Sequence, residues 1–160
     1  MQKIHFKNAI FLIIIISLIS CSTISENVYF ANKGTFNYSA NLFLSNYEKI
    51  LESYKCQRNL NSDAINIERS SDTCSEYFKI VDSSIIKEIF QIEEITSITL
   101  SNDEVFYHFK YDKFLFTTTS YSLIYTKATT NLNRYYEDKD FSVANIDSNW
   151  YFITLKYDNE

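Results

Sequence analysis

The spacing of apolar positions changes several times along this 160-residue chain, and each change marks an element. Ala9 to Ile19 is an eleven-residue, almost wholly apolar run preceded by Lys3 and Lys7. Further on, Leu42, Phe43, Tyr47, Ile50, Leu51 and Tyr54 recur at spacings of one, three and four, while Asn41, Ser45, Glu48, Lys49, Glu52 and Ser53 fill the gaps. That is one apolar stripe on a helix of about residues 40–55. Ser39 is placed to cap its N-terminus, and Tyr38 with Phe43 to form a hydrophobic staple. A shorter stripe, Ile85, Ile86, Ile89 and Phe90, follows the helix-start signal Asp82-Ser83-Ser84.

From Ile95 the period falls from 3.6 to 2. Ile95 to Leu100 alternates, Asn102-Asp103 reads as a turn, and Glu104 to Tyr111 puts Val105, Tyr107, Phe109 and Tyr111 on one face. Asp112-Lys113 fits a two-residue hairpin loop, Phe114 to Lys127 is β-rich, and Phe141–Ile146 pairs with Trp150–Tyr157 through Asp147-Ser148-Asn149. Two weaker signals remain. Aromatics flank Asn32-Lys33-Gly34, as in an N-terminal hairpin over 27–37, and Ala64-Ile65-Asn66-Ile67 hints at a short strand. Helices first, then consecutive strands, predict an α+β domain: one or two helices on a curved antiparallel sheet of four to five strands. The closing run Asp147-Ser148-Asn149-Trp150-Tyr151-Phe152-Ile153-Thr154-Leu155 resembles the end of small NTF2-like (cystatin-like) domains. That resemblance implies a tryptophan-led last strand completing a sheet around a helix, and it carries over no site residue.

The N-terminal run is too short to span a bilayer, which needs ~20 apolar residues. Its charged start and greasy middle are those of an export signal. It ends Leu18-Ile19-Ser20-Cys21, which resembles the lipobox of bacterial lipoprotein precursors. The resemblance implies cleavage before Cys21 and acylation of that cysteine with three chains, and two or more chains hold a protein firmly to a membrane. Ser22, rather than aspartate, after the cysteine implies sorting to the outer membrane, facing the periplasm. The domain plan is then a removed signal over 1–20, a tether with a possible hairpin over 21–38, and one globular domain over 39–160.

Composition narrows the function. The first 20 residues hold Lys3 and Lys7 and no acid, so a chain starting at Cys21 carries 13 basic and 20 acidic side chains, a formal −7. Such a surface repels nucleic acid and favours a cationic protein partner. At 17% aromatic the chain must fold to bury its rings. Proline is absent and Gly34 is the only glycine, so Asn, Ser and Asp must make the turns. Exported chains with two spare cysteines join them, which pairs Cys56 with Cys74 and stabilises the fold by about 3 kcal/mol in the chain-entropy account.

Candidate chemistry is sparse. Past the signal the one histidine is His108, on the strand face of Phe106 and Lys110, and a sheet-surface role outweighs general-base catalysis. A His/Cys metal site has too few ligands. One glycine cannot build a nucleophile elbow or a phosphate loop. The doublets Glu93-Glu94 and Glu137-Asp138, and Asp138-Lys139-Asp140, read as solvated acids rather than a carboxylate pair or calcium loop. The strand tyrosines are better candidates, being apolar along the ring and polar at the tip. Tyr107, Tyr125 and Tyr151 are the expected partner-binding residues, with the helix covering the face of Phe106, Trp150 and Phe152. The expected function is a non-catalytic, cofactor-free envelope lipoprotein that binds a protein, as an assembly accessory or an immunity-type inhibitor. The alternative is a small apolar-ligand binder with a pocket between helix and sheet.

Overall fold

The computed structural model describes residues 26–58, 64–69, 83–114, 117–127 and 140–158. The chain divides into two units, Met1–Lys33 and Gly34–Glu160. In the first unit, residues 26–31 are helical rather than the arm of a hairpin. Asn32 explains the difference. Its N–H donates to the carbonyls of Val28 and Tyr29 at 3.2 and 3.1 Å, and its side-chain amide donates to Val28 at 2.9 Å, closing a helical turn. Gly34 needs no positive φ and sits at the start of the next helix, so the one glycine of the chain is not used for a turn.

That helix, α1 (Lys33–Ser45), starts six residues before the expected boundary at Ser39. It buries Phe36, Ser39, Ala40 and Phe43, spaced three, four and seven from the first, as a core-facing stripe should be. Ser39 is therefore no cap, and Tyr38 is exposed, so the staple with Phe43 does not form. The expected helix 40–55 is two helices, with α2 (Tyr47–Arg58) following a break at Asn46. Asn46 makes the break: its Nδ2 donates to the Leu42 carbonyl at 2.9 Å, and its own carbonyl receives Ile50 N–H at 3.0 Å. It ends one helix and opens the other. Tyr47, Ile50 and Leu51 remain buried, as the stripe requires. The third helix, α3 (Ser83–Gln91), begins at the signalled serines and buries Ile85, Ile86 and Ile89. Thr35 Oγ1 donates to Glu88 at 2.7 Å, linking α1 to α3.

The sheet is antiparallel and the domain α+β, but among the described residues it has seven strands, more than the expected four or five. They are β1 (Ile65–Glu68), β2 (Ile95–Leu100), β3 (Glu104–Phe109), β4 (Asp112–Phe114), β5 (Thr117–Thr126), β6 (Phe141–Asp147) and β7 (Trp150–Asp158). Their order is β1-β2-β3-β5-β7-β6, with β4 beside β5. Both extra strands come from short segments. The Ile65–Ile67 hint becomes an edge paired to β2, and Asp112-Lys113, expected as a loop, pairs with Thr119 and Thr118. The β6–β7 turn falls where expected, and Ser148 enters the left-handed region at φ 22°, the turn role a glycine-poor chain gives to serine.

Register fixes the faces. Tyr107 opposes Leu123, which opposes Phe152, while Tyr125 opposes Trp150. Tyr107, Tyr125, Trp150 and Phe152 therefore share one face, and Phe106, Ile124 and Tyr151 share the other. The expectation that Phe106 sides with Trp150 and Phe152 is corrected. Alternation groups residues within a strand, but only the pairing offset says which groups align across strands.

Candidate functional face of the sheet

The first face is sealed. Phe36 of α1 packs edge-on against Tyr107 and Trp150, with ring centroids 5.0 and 6.0 Å away. Ser39 Oγ meets the Tyr107 hydroxyl at 2.6 Å, and Trp150 Nε1 donates to Asn37 Oδ1 at 2.7 Å. Tyr125 stands against Trp150 at 5.0 Å. Tyr107 is 0% and Tyr125 9% exposed, so neither belongs to a partner-binding surface. Burial pushes the Tyr107 phenol far up, against the weaker pull of the Ser39 bond, so it stays a neutral donor to its neighbours. These two tyrosines are core, a correction that follows from the register. Tyr151, the third expected contact, points to the other face and is half-buried.

The second face has two halves. On β5, β7 and β6, Ile124 and Ile153 are fully buried, ringed by the half-buried Phe106, Val143, Tyr151 and Leu155. On β1 and β2, and at His108 of β3, the same face is polar. His108 lies there, nearly parallel to the Phe106 ring at 6.1 Å. Its Nε2 is 2.9 Å from Thr99 Oγ1 and its Nδ1 2.9 Å from Ser122 Oγ. Thr99 has one hydroxyl proton and donates it to Asn66 Oδ1 at 3.3 Å. Nε2 must therefore carry the ring proton and donate to Thr99, leaving Nδ1 to accept from Ser122. Asn66 Nδ2 then donates to Glu68 Oε1 at 3.3 Å. The relay runs Ser122, His108, Thr99, Asn66, Glu68 across four strands.

Its chemistry is holding rather than reacting. Both ring nitrogens are engaged by hydroxyls, and the group behind the imidazole is a threonine where a catalytic triad has a carboxylate. Desolvation holds the His108 pKa below its usual value, so the ring is neutral. Ser122 is buried, out of reach of a substrate carbonyl. At the end of the same face, burial raises the Glu104 carboxyl above its usual pKa. Asp103 adds to the rise, and a hydrogen bond with Thr126, opposite it in the ladder, offsets part of it.

An open groove of about 380 Å³ lies at the edge, lined by Glu68, Arg69, Thr96 and Ser97. The Arg69 guanidinium is committed within it, donating to the carbonyls of Ile95 and Ile92 and lying 5.7 Å from the Phe90 ring. Glu93, one of the doublet acids, pairs with Lys110 at 3.0 Å in the open, and this partner lowers its pKa. Among the described residues no group of three or more potential ligands gathers to hold a metal ion, and no helix is long and apolar enough to cross a membrane.

Cys21, Cys74, Glu137 and Asp138 lie outside the described residues, as does the side chain of Cys56, whose backbone falls in α2. The partners of His108 were not legible in the sequence. The available signal was the hydroxyl residues of β2 and β5, Thr99 and Ser122 among several, and joining those two to His108 requires the register. No family model matches the chain, nor does any curated protein or solved structure.

Proposed function

We propose that this chain is a lipid-anchored envelope protein, held by acylated Cys21, that works without catalysis by binding a protein partner on the second face of its sheet. The observation that carries this reading is the contrast between the faces: α1 seals one, while the other keeps Phe106, Val143, Tyr151 and Leu155 half-exposed around Ile124 and Ile153. An apolar centre beside hydrogen-bonding groups, with a tyrosine at its margin, is the composition of a protein interface. The hydroxyl-locked His108 argues for a fixed polar border and against a nucleophile. The acidic balance past Cys21 favours a basic partner and steers its approach. The anchor rests on Lys3, Lys7, the apolar run and Leu18-Ile19-Ser20-Cys21.

Two experiments test the two halves separately. A photo-reactive aromatic placed at Tyr151 crosslinks a discrete protein in intact envelopes, and the same group at exposed Tyr111 does not. Equal yields at both positions, or none at either, overturn the binding face. For the anchor, Cys21→Ala leaves an uncleaved or soluble product. A wild-type chain that bears no lipid label overturns it while leaving the binding face standing.

A further inference from the structure

The two edges of the sheet are unlike. β1 is four residues long, with Asn66 and Glu68 alternating with core isoleucines, a short and polar edge of the kind that resists pairing. β6 runs seven residues as Phe-Ser-Val-Ala-Asn-Ile-Asp, with no lysine, arginine or proline and no charge before Asp147. A bulge lies only at its far end, between Asn145 and Asp147. Long, uncharged and regular over Phe141 to Asn145, this edge lacks the devices that keep edges from pairing.

Backbone bonding shows which groups point outward. Lys156 N–H donates to the Asp140 carbonyl at 2.9 Å, and on the other side of β7 Thr126 N–H donates to Asn149 at 3.0 Å. Antiparallel ladders alternate, so Ser142–Thr154 and Ala144–Phe152 carry the remaining bonds between β6 and β7. Val143 and Asn145 therefore turn their N–H and C=O groups away from β7. Among the described residues no strand pairs with that outer side.

We infer that β6 pairs antiparallel with β6 of a second copy of this chain, about a twofold axis at Val143. A pair centred there sets Asp140 opposite Ile146 of the other copy, so no two carboxylates oppose each other along the seam. The apolar half of the second face, which reaches the edge through Val143, continues across the axis into its counterpart. An isologous contact of this kind closes on itself and does not propagate. The inference rests on the edge alone and holds whether or not the proposed partner is found.

The test is sedimentation of the full chain in a density-matched detergent, from about 1 μM to about 1 mM. The expected result is a concentration-dependent doubling of protein mass. It is lost in Val143→Pro, since proline there removes an outward donor and no bond to β7. Hydrogen exchange on the wild-type chain gives a second measure that needs no variant: the Val143 amide gains protection as the dimer forms. A monomer throughout the range, a dimer that persists in folded Val143→Pro, or a Val143 amide that exchanges at the same rate at both ends of the range overturns the inference.

Discussion

The two faces of the sheet are built from similar residues and put to different uses. Both carry aromatics and aliphatics at alternate positions. On one, two polar tips reach across to α1: Tyr107 meets Ser39 and Trp150 meets Asn37. On the other, the hydrogen bonds run sideways within the sheet, from Ser122 through His108 to Thr99 and Asn66. A polar tip that reaches across layers ties a helix in place and cannot be spared. A relay that lies along the sheet ties strands together and leaves its outer side to meet something else. Hydrophobicity alone does not separate the two faces; the direction of the hydrogen bonds does.

The largest expected effect separates the faces by stability. Trp150 is 2% exposed and touches Phe36, Tyr107 and Tyr125. Trp150→Ala is expected to cost about 3–5 kcal/mol, the range for a buried aromatic, as read by denaturant midpoint. Phe106→Ala, on the half-buried side, is expected to cost less than half as much. Equal losses would erase the distinction between the sealed and the open face.

Acid sharpens the comparison on the second face. Burial holds the folded-state pKa of His108 below its unfolded value of 6.5, so the unfolded chain takes up the proton first. The contribution of the neutral ring is fully present above about pH 6.5 and is lost as pH falls from there through the depressed folded-state value. One such group contributes a slope of at most about 1.4 kcal/mol per pH unit. His108→Gln is expected to flatten the fall in stability between about pH 6.5 and the acid limb, which begins where carboxylates titrate. Glu104 acts with the opposite sign: its raised pKa favours the protonated fold, so its contribution declines as pH rises above the usual carboxylate value. Glu104→Gln removes that decline and leaves the histidine limb in place. Stability curves of both variants that overlay the wild type would show that neither group is held as described.

How much of this was legible depends on what each feature needs. The start of α3 at Ser83 and the turn at Ser148 are local, written in Asp-Ser-Ser and in Asp-Ser-Asn, and the sequence carries them. The α+β class follows from the change of period at Ile95. The apolar stripe over 40–55 reads as one helix because it is continuous, while Asn46 breaks the backbone: periodicity reports faces, and one side-chain amide decides the boundary. The hairpin about Gly34 failed for a related reason, since glycine permits a turn and Asn32 made a helix instead. Alternation leaves Tyr107 and Tyr125 as readily on the surface as in the core because both faces alternate equally well; pairing Tyr107 with Leu123 is a long-range fact. The His108 relay needs four strands in register and is not legible in any one of them.

A smaller effect tests the bond that crosses the layers. Tyr107→Phe keeps the ring against Phe36 and removes one hydroxyl. Ser39 retains its bond to the Phe36 carbonyl at 3.0 Å, so it is not left unpaired. The expected cost is about 1 kcal/mol, the net worth of one buried hydrogen bond. Tyr107→Phe with Ser39→Ala should cost little more than either change alone, because both remove the same contact. Additive losses in the double variant would mean that the two hydroxyls act separately.

The smallest expected effect on stability carries the most weight for function. Tyr151 is half-buried on the second face, beside Ile124 in the register, and the described contacts of α1 with the sheet fall on the other side. Tyr151→Ser removes an aromatic ring from the margin of the apolar patch and leaves Ile124 and Ile153 in place beneath it. Its cost is expected to stay near the ~0.5 kcal/mol of a surface change, while Tyr107→Ser, the same substitution through the sheet, loses ~3 kcal/mol or more. Crosslinked partner yield should move the other way round: Tyr151→Ser loses most of it at full stability, and Tyr107→Phe, whose fold is nearly intact, keeps it. Tyr151→Ser is thus cheap for folding and costly for binding, whereas Tyr107→Ser is costly for folding. A Tyr151→Ser chain that folds and captures its partner as well as the wild type would mean that the half-exposed patch is only the margin of a core.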